Sequence, residues 1–268
     1  MDWTYSKFER EWDSGPIYVF LNSNWLIPVV AVTLYASMVY FGPKIMAERD
    51  PFVMKGPMAL WNLFLSVFST IGMIRTVPHI LLNIRELEFK STICGPSDQD
   101  WGSGATGFWV MLFAFSKFPE LIDTVFLVLK KKPVEFLHWY HHITVLLYCW
   151  HAYATEAGTG LYFVAMNYSV HAIMYGYFFL MTLKLVPKWF PSWLITIAQI
   201  AQMFGGTFVC CSSWYYVIYK GDSSCNNRID NLLAAGLMYG SYLYLFVSFG
   251  VRKFIYKEDF SEKSKKLE

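Results

Sequence analysis

Apolar residues fall along this chain in seven long blocks, approximately Trp25–Phe41, Pro57–Ile84, Gly107–Leu129, Val134–Ala154, Leu161–Val186, Ser192–Tyr219 and Leu232–Val251. Each approaches the roughly 20 residues that a helix needs to cross the hydrocarbon core of a bilayer. The pattern predicts an all-α polytopic membrane protein with seven transmembrane helices. The first block holds no charged residue and reads as an anchor packed at the edge. In the second, Arg75 and His79 stand one turn apart, facing the interior. No internal repeat or Gly-, Pro- or Ser-rich linker divides the chain, so residues 1–268 read as one domain ending in a basic tail, 252–268.

Composition sharpens this picture. The chain is 55% hydrophobic and 19% aromatic, with 16% charged residues against about 25% in soluble domains. A net charge of +2 gives no basis for nucleic-acid binding. The basic residues alternate in sidedness instead. One set of loops carries Lys44, Arg49 and Lys55, then Lys130, Lys131 and Lys132, then Lys184 and Lys188, then the tail from Arg252 to Lys266. The other set carries Arg85, Lys90, Lys220 and Arg228. Positive residues gather in cytosolic loops, which places the C-terminus in the cytosol and the N-terminus on the other side. The N-terminus lacks the basic-then-apolar pattern of a cleaved signal peptide. Lys265 and Lys266 stand where a dilysine retrieval signal of the endoplasmic reticulum would, and a lipid-facing basic tail would look the same.

Cys94 and Cys225 fall in two non-cytosolic loops, where a disulfide persists if that side is oxidising; bridged cysteines and free loop thiols both fit. Cys149, Cys210 and Cys211 lie in spans as small hydrophobes. Asn167-Tyr168-Ser169 matches a glycosylation pattern, but its place inside a span rejects it.

Polar residues inside the spans carry the chemistry, because they are costly in hydrocarbon. His138, His141 and His142 stand at i, i+3 and i+4, on one face of a helix. Lys117, Glu120, Asp123 and Thr124 form a stripe on the third span. Lys117 and Glu120 suit a structural ion pair, which leaves Asp123 to accept a bond from a histidine and fix its tautomer. Asn167, His171 and Tyr175 recur every four residues on the fifth span, and Gln199 and Gln202 share a face of the sixth. Each stripe alone fits helix–helix hydrogen bonding. Four successive stripes point to a partly polar chamber. His151, three turns deeper, reads as an interfacial surface histidine.

Six histidines in the whole chain are too few for the several histidine boxes of membrane di-iron enzymes. A single zinc lacks an obvious carboxylate on the helix of the box. Imidazole itself can move protons or be acylated as a nucleophile, and a water-poor chamber would protect an acyl-imidazole. The box starts about six residues beyond Lys132, roughly 9–15 Å inside the membrane edge at ~1.5 Å per residue. That depth suits a ligand whose phosphates stay at a rim of Lys130, Lys131, Lys132, Lys184 and Lys188 while an arm reaches in. Cytosolic topology alone also accounts for these lysines. A proton-relaying transporter is the rival class, although no paired half-repeats accompany the histidines.

The ordered set Lys117-x-x-Glu120-x-x-Asp123-Thr124, His138-x-x-His141-His142, Asn167-x-x-x-His171-x-x-Met174-Tyr175 and Gln199-x-x-Gln202 resembles the very-long-chain fatty acid elongases, the ELO family of 3-ketoacyl-CoA synthases. The similarity runs from about Trp61 to Tyr256 and includes Leu237-Met238-Tyr239 and Ser241-Tyr242-Leu243. The resemblance implies seven helices, the last six forming a barrel around an acyl tunnel closed towards the lumen. It implies condensation of a long-chain acyl-CoA with malonyl-CoA to 3-ketoacyl-CoA, carbon dioxide and CoA, without metal or further cofactor. His141 would be the acylated nucleophile of a ping-pong cycle; the same condensation with histidine as general base only is the alternative. His171 would position the thioester or malonyl unit, and His138 and His142 would orient or deprotonate, supported by Asp123 and Glu120. Lys117, Asn167, Tyr175, Gln199 and Gln202 would contact substrate, together with the lysine rim. The family further implies a Cys94–Cys225 disulfide, residence in the endoplasmic reticulum membrane, and partnership with the ketoacyl-CoA reductase, dehydratase and enoyl-CoA reductase of the elongation cycle. Homo- and hetero-oligomers both fit. The box His-Trp-Tyr-His-His resembles members acting on saturated and monounsaturated chains.

Overall fold

A chain rich in uninterrupted apolar residues has to satisfy its backbone N–H and C=O groups internally, and helices do so within one segment. The structure is a computed structural model, described for residues 5–187 and 189–254. In chain order it forms α1 (Lys7–Arg10), α2 (Gly15–Ser23), α3 (Leu26–Ile45), α4 (Lys55–Glu86), α5 (Phe89–Cys94), α6 (Ser97–Asp100), α7 (Gly104–Ser116), α8 (Ile122–Leu129), α9 (Phe136–Ala154), α10 (Gly160–Leu183), α11 (Trp193–Trp214) and α12 (Ile229–Phe254). Among the described residues the sole extended pairing is an isolated bridge between Asp13 and Ser103.

Among the described residues four helices are long and apolar enough to cross a membrane: α3, α4, α11 with the π-helical turn that prolongs it, and α12. The three other expected blocks are those that carry the histidine box, the asparagine–histidine stripe and the lysine–glutamate stripe. Polar residues lower their mean hydropathy, and the third block is also broken. It was expected to run unbroken from Gly107 to Leu129. Pro119 has no N–H to give an α-helical ladder, and the chain tightens into a 3₁₀ turn at Pro119–Leu121 between α7 and α8.

The helices touch in a definite succession. α4 packs on α7 and α10, α10 on α11, α11 on α12, and α12 on α9, which also meets α7. α3 lies outside that succession against α8 and α9, with Leu26 and Leu34 exposed on its outer side. The α4–α10 seam is the most extensive. It depends on Gly72, where an added Cβ would stand 2.4 Å from the Tyr168 ring. Ser66 Oγ donates to the Ala172 carbonyl across the same seam at 2.9 Å.

One end of the bundle is sealed. Two aromatic-rich cores fill it, one around Trp101, Trp109, Trp150 and Tyr168, the other around Tyr148, Phe163, Tyr239 and Tyr242. The N-terminal arm folds over this end. Trp150 Nε1 donates to the Leu21 carbonyl at 3.1 Å and Asn22 to the Ala154 carbonyl at 2.9 Å. Glu9 is held by Arg75 at 3.0 Å and by Trp109 Nε1 at 2.9 Å. Burial works against the Glu9 carboxylate, but these donors and the Ser6 backbone outweigh it and hold the group at about 2. Cys94 and Cys225 are joined by a disulfide, beside which Asn226 N donates to the Cys94 carbonyl at 2.9 Å and Lys90 pairs with Asp222.

Candidate active site

Towards the other end the same helices part around a cavity of about 450 Å³. Its wall contains His138, His141 and His142 from α9, Asn167, His171 and Tyr175 from α10, Gln199 and Gln202 from α11, and Glu120 and Asp123 from the broken α7–α8 segment. Glu135, Ser192 and Lys253, at or near helix ends, place its outer part at the end of the bundle away from the disulfide. Helical periodicity brings the three groups of α10 to one wall, and the first two turns of α9 bring the box opposite.

The four imidazoles stand in different surroundings. His138 Nε2 is 2.8 Å from Thr124 Oγ1. His171 Nε2 is 3.2 Å from Asn167 Nδ2, which sets Nε2 as acceptor and leaves the ring proton on Nδ1. His142 is buried, with Nδ1 enclosed and unpartnered among the described residues. His141 is only partly buried. Its ring lies 5.0 Å from that of Tyr242, and among the described residues neither of its ring nitrogens has a hydrogen-bond partner. Its carbonyl is pinned instead, by Tyr242 Oη at 3.1 Å. The backbone is thus anchored while the imidazole is left open to the cavity.

The carboxylates behave unlike each other. Lys117 and Glu120 form a buried pair at 2.6 Å, with side chains 1% and 3% exposed. Ser116 Oγ donates to the same Glu120 Oε1 at 3.0 Å, the Lys117 ammonium donates also to Asn167 Oδ1 at 3.4 Å, and it rests over the Phe113 ring at 4.1 Å. Such a pair is stable only with its remaining bonds met. Glu120 Oε2 is enclosed without a partner among the described residues. Asp123, expected to support a histidine, does not do so. Its two oxygens accept from Trp61 Nε1 at 2.6 Å and Tyr175 Oη at 2.7 Å, so the acid ties α4 to α10.

Several expected substrate contacts lie elsewhere. Lys117 is sealed behind Glu120 and is absent from the cavity wall. Lys130, Lys131, Lys132 and Lys184 do not line it either. Lys131 takes a left-handed φ of 53° and donates to the Ala47 and Arg49 carbonyls at 2.8 and 3.1 Å. It therefore fastens the loop after α3. Lys184 is the left-handed C-cap of α10. Lys188, Lys265 and Lys266 lie outside the described residues. Gln199 Nε2 contacts Met174 Sδ at 3.3 Å, and Gln202 is buried. His151 ends α9 on the sealed side, 4.0 Å from Asp230.

Sequence reading missed Trp61, Asn62, Lys253 and Tyr35. A half-buried acid inside an apolar span, such as Asp123, must find donors, which could have prompted a search for an indole or phenol. No spacing rule would have chosen Trp61 among so many aromatics. No three His, Cys, Asp or Glu residues among those described are grouped to hold a metal ion; His138 and His171 spend Nε2 on hydrogen bonds.

Residues 20–262 match the family described as ELO: GNS1/SUR4. Fatty acid elongase 3 of Trypanosoma brucei brucei (strain 927/4 GUTat10.1) is 40% identical over 259 residues, covering 87% of this chain and 85% of the relative. Very long chain fatty acid elongase 6 of Gallus gallus is 35% identical over 252 residues, covering 94% and 93%. The protein of that name in Drosophila melanogaster is 36% identical over 250 residues, covering 92% and 78%.

Proposed function

This chain belongs to the ELO (GNS1/SUR4) family of multi-pass membrane proteins that elongate fatty acids, and on that premise we propose that it condenses a long-chain acyl-CoA with malonyl-CoA through an acyl-His141 intermediate. The observation that carries the residue assignment is the contrast among the imidazoles. His141 offers the cavity ring nitrogens that no protein group occupies, on a backbone held by Tyr242. In the first half-reaction a ring nitrogen attacks the thioester carbonyl. The C–N bond forms, the C–S bond breaks, and CoA leaves as its thiol with the proton from imidazole. In the second, malonyl-CoA loses carbon dioxide, and the electron pair of that C–C bond becomes a C2 carbanion. The carbanion attacks the acyl carbon, the C–N bond breaks with its electron pair going to the ring nitrogen, that nitrogen takes up one proton from solvent, and 3-ketoacyl-CoA departs with neutral His141 restored.

The other groups fit supporting parts. His171, its proton on Nδ1, positions the thioester or malonyl unit, and Asn167 fixes its tautomer. Asp123 holds Trp61 and Tyr175 at the cavity wall. Glu120 and Lys117 set the α7–α8 turn. We extend the reading to seven spans, with α4 and the later long helices forming a barrel whose tunnel is sealed at the disulfide end. That end faces the lumen of the endoplasmic reticulum and the cavity opens to the cytosol, where the reductases and dehydratase of the cycle act.

Intact-protein mass spectrometry after incubation with acyl-CoA alone tests the intermediate. An acyl adduct is expected on the wild type and absent from His141→Ala. Turnover without any adduct would assign His141 as a general base, with both substrates bound together.

A further inference from the structure

α3 lies outside the main helical succession, yet it reaches the site. Tyr35, halfway along it, is 3% exposed and places its hydroxyl 2.8 Å from Thr124 Oγ1. Thr124 is fully buried, at 0% exposure, and the same oxygen is 2.8 Å from His138 Nε2. The three groups form a chain from the outer helix, through α8, to the first histidine of the box. Gly42 lets α3 approach α8, since an added Cβ there would stand 2.8 Å from Val128 Cγ1.

Donor accounting gives this chain a direction. Each hydroxyl has one proton to donate. Among the described residues Tyr35 Oη has no partner other than Thr124. If His138 carried its proton on Nε2, that proton would go to Thr124, the Thr124 proton would go to Tyr35, and the Tyr35 proton would be buried without an acceptor. A buried orphan donor costs about 1–3 kcal/mol. In the opposite direction every donor is used: Tyr35 donates to Thr124, and Thr124 donates to a bare Nε2. His138 then holds its proton on Nδ1. That atom is neither hydrogen-bonded nor enclosed, and the residue lines the cavity.

We propose that Tyr35 and Thr124 are positioning residues that lock His138 in the Nδ1–H tautomer, so that it presents a hydrogen-bond donor to the carbonyl oxygen of the bound thioester. The role given to His138 rests on the condensation reading. The tautomer lock rests on hydrogen-bond geometry alone. The outermost long helix thereby becomes part of the catalytic apparatus. A residue whose side chain never enters the cavity decides which nitrogen of a cavity histidine bears hydrogen.

The test uses the full chain in detergent with ¹⁵N-labelled histidine, the His138 signals being assigned by their loss in His138→Gln. The wild type should show a protonated Nδ1 and a bare Nε2. Tyr35→Phe keeps the ring and removes the terminal donor. It should give mixed tautomers and lower kcat roughly tenfold, the lower end of what losing an outer hydrogen-bond partner costs a metal-bound histidine, with KM for acyl-CoA unmoved. Thr124→Val should do the same, and Thr124→Ser should restore both readouts. A wild-type proton on Nε2 would overturn the lock, as would a tautomer and kcat left unchanged by Tyr35→Phe. If the wild type forms no 3-ketoacyl product, the condensation reading fails while the nitrogen spectrum still decides the lock.

Discussion

The two ends of this bundle solve opposite problems with the same kinds of residue. At the disulfide end, tryptophans and tyrosines interlock, and their polar tips bond to backbone carbonyls, as Trp150 does to Leu21 and Tyr168 to Trp109. At the cavity end, the indole of Trp61 and the phenol of Tyr175 are spent on a carboxylate, and that of Tyr35 on a threonine. Aromatic rings at the first end leave a void of only about 40 Å³; at the second they hold reactive groups apart around a space of about 450 Å³. Damage to the first should therefore cost folding, and damage to the second should cost chemistry.

The sharpest test of that division is His141→Ala. Loss of the nucleophile should reduce 3-ketoacyl product formation by a factor of about a thousand or more, with the melting temperature in detergent retained. A large drop in Tm would show that the cavity end is structural after all. Next come two cap variants. Trp101→Ala empties a position in the sealed core and should destabilise by about 3–5 kcal/mol. Cys94→Ser opens a link across 131 positions and should cost about 2–5 kcal/mol. Both should lower Tm, while kcat per folded molecule stays near wild type. Asp123→Asn is intermediate, because it weakens the acceptors for a buried phenol and a half-buried indole; roughly 1–3 kcal/mol should appear as a combined loss of Tm and kcat.

The smallest effect concerns pH and the arm over the cap. Glu9 is held at about 2, below the ordinary carboxylate value of 4.5. For a carboxylate with a depressed folded pKa, the stability it contributes is fully present above the unfolded value. It is lost as pH falls from about 4.5 towards 2. Glu9→Gln should therefore flatten the acid limb of a Tm-versus-pH curve and leave its neutral region lower and level. An unchanged acid limb would remove Glu9 from the account.

How much of this was legible depended on whether a signal repeats. The helical, multi-pass character was plain from the apolar blocks. The stripes also read well: Asn167, His171 and Tyr175 at four-residue spacing do share a wall, and the box does face them. Lys117 and Glu120 do pair. Partners that occur once left no trace. Tyr35 and Trp61 are ordinary residues for an apolar span, and their role appears only when the donor needs of Thr124 and Asp123 are followed in space. The described lysines of the expected rim, Lys130, Lys131, Lys132 and Lys184, do not line the cavity. Charge in short loops reports sidedness, and Lys131 satisfies two backbone carbonyls at a left-handed corner. Pro119 is a readable signal in the sequence. An imino acid inside a block of helical length foretells a break, and that break puts Glu120 on a turn with one oxygen turned loose.

The link between Cys94 and Cys225 also has a meaning in time. Synthesis proceeds from the N-terminus, so the first sulfur waits while α7, α9, α10 and α11 are made, carrying every histidine of the cavity. Only afterwards does its partner exist. A nascent chain halted within α11 already owns all of its imidazoles and has no means of closing the far end covalently. Closure reports that the histidine-bearing part of the wall has been built, with α12 still to come.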